Sequence, residues 1–436
     1  MRLTVAGNRP LHGTIAVRGA KNAISKEMVA TLLTDEPCVL RNVPAIRDVE
    51  IVANMLTDMD VTVTRSEDTV TINPETVHPL SFEKLDRYVG ASRIPILLCG
   101  PLLVRHGETV LPAPGGDEIG ERRIDFHVHA LRCLGATVTE EPWGLRVSAK
   151  QLRGTKIALD YASVGATEQI LLSAVCAKGT TEIDNAAIEP EIMDLIAVLQ
   201  KMGALISVEP DRVITIEGVD SLRGFSHTVM PDRLETASWA CAALVTKGEI
   251  FVKNADQLSM MTFLNRFRQV GGDFDISDEG IRFSRRGENL DPIALETDVH
   301  PGFMTDWQSP FVVVLTQASG LSILHETVYE NRLGYTEALR KMGARIQCYK
   351  ECLGPTKCRF GRRNFHHSVA IAGPSPLHGT NLRIPDLRGG FSHVIAALSA
   401  EGISTLEGID MIDRGYEHFF DKLEAIGTEI ISLDRS

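Results

Sequence analysis

Six times along the chain, apolar residues at helical spacing run into a short break and then into strict apolar/polar alternation. One copy reads Leu131-Arg132-Cys133-Leu134-Gly135-Ala136-Thr137-Val138, and another Leu199-Gln200-Lys201-Met202-Gly203-Ala204-Leu205-Ile206. The breaks fall at Asp60, Gly135, Gly203, Gly271, Gly343 and Gly427. A helix that passes directly into a strand ends on a left-handed residue, where glycine carries no Cβ penalty. The copies recur every ~70 to 85 residues, too long for a thin solenoid repeat and about right for a small α/β unit.

Within each unit the pattern predicts a strand, a turn, an apolar helix, a second strand, an amphipathic helix and a strand pair. The first unit opens with Leu11–Val17, turns at Arg18-Gly19-Ala20-Lys21-Asn22, and continues in an apolar helix from Ala23 to Leu33 and a strand over Cys38–Asn42. The third repeats the plan with Lys156–Asp160, the turn Ser163-Val164-Gly165-Ala166-Thr167, a helix, and Gly179–Asn185. A helix that is apolar all round must be buried, whereas one with a polar face lies outside. The expected fold class is therefore α/β, with six repeated units arranged as two globes of three. Each globe has helices wrapped inside a shell of short sheets. The length of 436 residues suits two domains of roughly 200 residues.

Composition narrows the partners. A net charge of −12 argues against a general nucleic-acid binder, although a local basic cleft can still oppose that field. Eight cysteines spread over so long a chain suit a reducing compartment better than a disulfide framework. The opening Met1–Asn8 has no apolar core of the signal-peptide kind. The longest apolar stretch, Ile94–Val104, is interrupted by Gly100-Pro101 and too short to span a bilayer. The expectation is a cytoplasmic protein without membrane or nucleic-acid partners, its number of subunits left open.

Chemistry is expected at the turns that open the buried helices, because a helix N-terminus offers unpaired N–H groups and partial positive charge to anions. Lys21-Asn22, Ser163–Thr167, Asp232-Arg233, Thr305-Asp306 and Arg388-Gly389-Gly390 all fall there. Ser, Thr, Asp and Gly at such places also serve simply as helix caps. Several cationic turns in one repeat frame favour a binding site.

An ordered set of motifs then carries a resemblance over essentially the whole chain. These are Gly19-Ala20-Lys21-Asn22-Ala23, Pro114-Gly115-Gly116-Asp117-Glu118-Ile119-Gly120, Ser163–Thr167, Glu189-Pro190-Glu191, Pro231-Asp232-Arg233, Glu330-Asn331-Arg332 and Ile412-Asp413-Arg414-Gly415-Tyr416. In this order they resemble the enolpyruvyl transferase family. The resemblance implies an inside-out α/β barrel of two domains, 1–20 with 230–436 and 21–229, and an active site in the cleft between them. It also implies a mobile loop around 112–123, whose paired glycines fit a lid.

The implied reaction moves the enolpyruvyl group of phosphoenolpyruvate to the 3′-hydroxyl of UDP-N-acetylglucosamine by addition and elimination, releasing phosphate, with no cofactor. These two small molecules are the expected partners. By motif match, Lys21, Arg122 and Arg414 would surround the phosphate of phosphoenolpyruvate, and Arg332 and Arg388 would bind its carboxylate. Asp306 would orient the sugar hydroxyl and accept its proton. Asn22, Arg93, His127, Ser163, Val164 and Gly165 match nucleotide-sugar positions, and Asp232 and Glu191 match acidic positions near the cleft. Two further readings stand beside this one. One is the same chemistry on another acceptor, such as a different nucleotide or shikimate 3-phosphate; the Gly-Asp-Lys-Ser type of turn that shikimate enzymes favour is not in the sequence. The other is a catalytically silent member acting as a binding protein.

Several positions depart from the family pattern. Asp117 stands where many relatives carry the cysteine that the epoxide fosfomycin alkylates. An aspartate can supply the proton if burial or phosphate charge raises its pKa, and it is a far poorer nucleophile than a thiolate. Insensitivity to the drug is therefore expected. Ile94-Pro95 replaces the usual Ala-Ser after Arg93, no proline follows Arg122, and Tyr161-Ala162 precedes Ser163 where lysine and valine are common. Finally, an insertion runs from Cys348 through Cys352 and Cys358 to His366-His367. Its spacing is not a recognised zinc knuckle, so a structural or subunit-contact loop is expected and no metal ligand is assigned.

Overall fold

The computed structural model describes residues 1–115, 124–356, 358–361 and 363–434. They divide into two compact units, 1–18 with 231–434 and 19–115 with 124–230. Leaving aside the single turn Phe82–Leu85, the unit holding 19–230 contains α1 (Lys21–Ala30), α2 (Arg47–Asp58), α3 (Cys99–His106), α4 (Asp125–Cys133), α5 (Val164–Ala174) and α6 (Pro190–Met202). The other contains α7 (Arg233–Val245), α8 (Met261–Gln269), α9 (Gln308–Thr316), α10 (Thr336–Lys341), α11 (Leu387–Ser399) and α12 (Phe419–Ala425).

Odd-numbered helices are the inner ones. Every residue of α7 and of α9 is buried, and α7, α9 and α11 pack against one another, as α3 does against α5. Even-numbered helices bury one stripe: on α2 it is Val49, Val52, Met55 and Leu56, the spacing of one helical face. Each outer helix ends at a left-handed residue, Asp60 (φ 66°), Gly135 (94°), Gly203 (107°), Gly271 (108°), Gly343 (107°) and Gly427 (79°), before its strand begins. Aspartate takes the glycine's place in the first copy because its short polar side chain tolerates this region better than most.

Among the described residues the strands form three sheets in each unit, five of four strands and one of three. Every four-stranded sheet joins one parallel pair to two further strands in antiparallel pairing. Thus Lys156–Ala158 runs parallel to Thr180–Asp184 across α5, and Ile214–Glu217 and Leu205–Val208 complete the sheet antiparallel. A parallel neighbour needs a crossover, and the inner helix supplies it. The three-stranded sheet, Glu108–Pro112 with Gly144–Ser148 and Thr137–Glu141, lacks the parallel strand. Chain crossings between units also leave their mark on pairing. His12–Ala16 pairs with Glu249–Lys253, and Ser226–Thr228 returns to pair with Cys38–Arg41. Among the described residues no helix is long and apolar enough to cross a membrane.

Candidate active site

The inner-helix N-termini hold most of the residues singled out from the sequence. In the unit of α7, α9 and α11, Asp232 caps α7, accepting from the N–H groups of Leu234 (2.8 Å) and Glu235 (3.0 Å). Asp306 lies in the one-turn segment Thr305–Trp307 that leads into α9. Arg388 occupies the first turn of α11, behind the capping Asp386, which accepts from Arg388 N–H (2.9 Å) and Gly389 N–H (2.8 Å).

The ends of α9 and α11 meet at Asp306. Arg332 donates to its Oδ1 at 2.7 Å, and Arg388 Nε lies 3.8 Å from its Oδ2. Both arginine side chains are buried, at 3% and 5% exposure, whereas Asp306 keeps 18%. Burial works against the Arg332 charge, but Asp306, Asp386 and Glu326 more than offset it and hold its pKa above the ordinary value. Arg388 behaves likewise: burial opposes its charge, while Tyr416, Asp306 and Asp232 hold its pKa up. Its Nη1 donates to Tyr416 Oη at 2.8 Å. Arg414 ends the turn Ile409–Arg414, two residues before that tyrosine.

Sequence reasoning missed the residue that shapes the Arg332 loop. Glu326, fully buried, accepts from the N–H groups of Val328 (2.6 Å) and Tyr329 (2.8 Å), from Thr305 Oγ1 (2.9 Å), and from Gln308 Nε2. It ties the loop that carries Arg332 to the turn that carries Asp306. Its position one residue beyond the strand Gly320–His325 gave no periodic signal.

In the other unit Lys21 opens α1 and pairs with Asp48 at 2.8 Å, a partner not picked out from the sequence. The Asn22 carbonyl accepts from Lys26 Nζ at 2.6 Å, and Lys26 lies 3.5 Å from Glu168 on α5. Burial raises Glu168 to about 7 against the pull of Lys26, and Glu191 and Glu189, at the start of α6, push the same way. Ser163 caps α5, its Oγ accepting from Ala166 N–H at 3.4 Å, so Val164 and Gly165 are the first two helical residues. His127 of α4 is pressed against this end. A Cβ on Gly165 would stand 2.9 Å from its Nε2. Burial, with the nearby Arg93 charge, lowers the His127 pKa to about 3, so the ring is neutral at neutral pH. Arg93 directly precedes the turn Ile94–Leu98 that runs into α3. Asp117 and Arg122 lie outside the described residues.

A second buried cluster, Glu27, Asp194 and His227, has metal-ligand chemistry. Both nitrogens of its histidine are already engaged: His227 Nδ1 is 2.7 Å from Lys201 Nζ, and Nε2 is 3.0 Å from Asp194 Oδ1.

Comparison with known proteins identifies the family. The family model for EPSP synthase (3-phosphoshikimate 1-carboxyvinyltransferase) matches residues 5–423. The chain belongs to this family. Among its relatives is the UDP-N-acetylglucosamine 1-carboxyvinyltransferase of Protochlamydia amoebophila, 47% identical over 437 residues that cover 98% of this chain and 93% of the relative. The protein of the same name from Chlamydia pneumoniae is 44% identical, covering 99% and 94%. The fold of this EPSP synthase family member is that of the enolpyruvyl transferase NikO from Streptomyces tendae, with a TM-score of 0.86, 21% identity and 98% of each chain covered.

Proposed function

We infer that the protein transfers the enolpyruvyl group of phosphoenolpyruvate to the 3′-hydroxyl of UDP-N-acetylglucosamine, releasing phosphate in the first committed step of peptidoglycan precursor synthesis. The observation that carries the site reading is the Asp306 carboxylate in contact with two buried guanidinium groups. Asp386 and Glu326 act on Arg332 and Asp232 acts on Arg388, whereas Asp306 acts on both arginines. Arg332 and Arg388 bind the substrate carboxylate in planar forks, where buried charge-assisted hydrogen bonds are strong. Asp306 takes the proton from the sugar hydroxyl as its oxygen attacks the enol carbon. An acid, Asp117 in this proposal, protonates the methylene carbon to give the tetrahedral adduct; the methyl group so formed then gives up a proton to a base of the site as phosphate leaves, which restores the methylene in the product. Lys21, Arg122 and Arg414 keep the phosphate roles read from the sequence, and Arg93, His127 and Ser163–Gly165 the nucleotide-sugar roles. A neutral His127 beside a helix N-terminus suits a hydrogen bond to a diphosphate without adding charge. Eight cysteines outside any disulfide support a reducing cytoplasm as the working compartment.

The test is phosphate release from phosphoenolpyruvate with and without UDP-N-acetylglucosamine, alongside the Asp117→Asn variant. Release that needs the nucleotide sugar and is lost in the variant supports the transferase and the acid role. Release only with another acceptor, from a panel including shikimate 3-phosphate, would reassign the substrate. No release from folded protein with any acceptor would leave a binding protein.

A further inference from the structure

The insertion in the sheet Ala294–Glu296, Gly320–His325, Ser368–Gly373 and Arg345–Tyr349 is organised around four side chains that the reaction does not use. Strand Gly320–His325 pairs antiparallel with Ser368–Gly373, with His325 opposite Ser368. This register sets His325 beside His367, their ring centroids 5.5 Å apart. The insertion folds back so that Cys352 Sγ lies 3.4 Å from His367 Nε2 and 3.5 Å from Cys358 Sγ. One donor atom from each of His325, Cys352, Cys358 and His367 falls within 4.8 Å of every other.

We propose that these four residues form a closed, tetrahedral Cys2His2 site for a structural zinc ion. Bonds of about 2.3 Å to sulfur and 2.0–2.1 Å to nitrogen place tetrahedral ligands about 3.8 Å apart for two sulfurs and about 3.5 Å for sulfur and nitrogen. The observed 3.5 Å and 3.4 Å are close to those edges. A disulfide is a different geometry, with sulfurs about 2.05 Å apart. Soft thiolates with imidazoles in a tetrahedral set select zinc over hard cations.

The surroundings fit a metal better than they fit an apolar core. His325 has no exposed surface, and neither ring nitrogen has a hydrogen-bond partner. A buried imidazole left so would be costly, and a metal bond removes that cost. His367 is also fully buried, and its Nδ1 lies 2.9 Å from the carbonyl of Phe365, which fixes Nε2 as the nitrogen facing the sulfurs. Glu296 Oε2 lies 3.8 Å from His325 Nδ1, too far for a hydrogen bond in this geometry but near enough for a small turn of the ring to give a ligating histidine its supporting carboxylate. Gly354 permits this packing: a Cβ there would stand 1.9 Å from Glu296 Oε1 and 2.8 Å from His325 Nδ1.

The spacing within the insertion hid this set, because one ligand comes from a strand outside it. Two residues counted in the sequence drop out: His366 is exposed, and Cys348 Sγ lies 3.5 Å from Thr336 Oγ1. The ion's place is structural. It would fasten the insertion to the strand that runs into Glu326, while Arg359 of the insertion donates to the Val328 carbonyl in the Arg332 loop.

The test uses untagged full-length protein purified from zinc-supplemented medium and analysed by elemental mass spectrometry. About one zinc per chain is expected, lost in the Cys352→Ser/Cys358→Ser double variant. Metal-stripped wild-type protein titrated with Co2+ should develop the intense visible bands and thiolate charge transfer of a tetrahedral sulfur–nitrogen site. That titration also decides the matter if the double variant does not fold. Zinc-free wild-type protein that gives no cobalt spectrum would overturn the proposal. So would zinc retained in the folded double variant, or a Cys352–Cys358 disulfide in protein prepared under reducing conditions.

Discussion

Asp306→Asn keeps the size of the side chain and removes its charge, which separates its proposed role as proton acceptor from its role in positioning. The carboxylate stands 2.7 Å from Arg332 and 3.8 Å from Arg388. Unit charges about 4 Å apart interact by about 4 kcal/mol at an effective dielectric of about 20. The amide oxygen still accepts one hydrogen bond from Arg332, so part of that interaction survives. Two effects of opposite sign follow. The guanidinium groups, released from their counter-charge, bind an incoming carboxylate as well as before or better, so KM for phosphoenolpyruvate holds or falls. Meanwhile kcat falls by about 100- to 10,000-fold, because the hydroxyl proton has lost its acceptor. Steady-state phosphate release with each substrate varied in turn reads both, and a circular-dichroism melt checks that the variant folds. A kcat close to that of the parent would refute the reasoning. A rise in KM for phosphoenolpyruvate with little change in kcat would make Asp306 a positioning residue only.

Gly165→Ala places a Cβ 2.9 Å from His127 Nε2 and 3.1 Å from Cε1, a crowding expected to cost about 1–3 kcal/mol in urea unfolding and to raise KM for the nucleotide sugar. Adding His127→Ala should recover most of the stability, and strictly additive effects would contradict the contact. Glu168, held at about 7 against an ordinary 4.5, is protonated in the folded protein over a range where the unfolded chain has already ionised. Stability should therefore fall as pH rises from about 4.5 to about 7 and level off above, by at most about 3 kcal/mol. Denaturant unfolding across this range should find the slope reduced in Glu168→Gln; an unchanged slope would count against burial as the cause. Treatment with fosfomycin should leave both mass and activity unchanged, whereas Asp117→Cys should gain a covalent adduct; labelling of the parent would refute the expectation.

The helix–break–strand copies were legible because each is local. Helical spacing before Gly203, alternation after it and the left-handed turn between them involve residues within one or two turns of chain. Inner and outer helices could be told apart for the same reason, since an all-apolar helix such as α9 has no face to offer water. The strand pairing that follows the chain's passage between units was not legible: Ser226–Thr228 joins Cys38–Arg41 across nearly two hundred residues, and nothing local announces it.

The candidate site divides along the same line. The placement of residues at the ends of inner helices could be read directly, because Asp232, Ser163 and Arg388 stand where a helix must begin. Their partners could not. Asp48 beside Lys21, Glu168 beside Lys26 and Glu326 beneath Arg332 are ordinary carboxylates in the sequence, and burial next to a particular cation gives each its role. His325 is the extreme case: a lone histidine at a strand end becomes the fourth donor of a cluster only when sheet register brings it beside His367. Hydrophobic period and turn chemistry act between neighbours and are written into the sequence. Desolvation, charge pairing and ligand convergence act through space between residues far apart in the chain, so only the tertiary structure decides them.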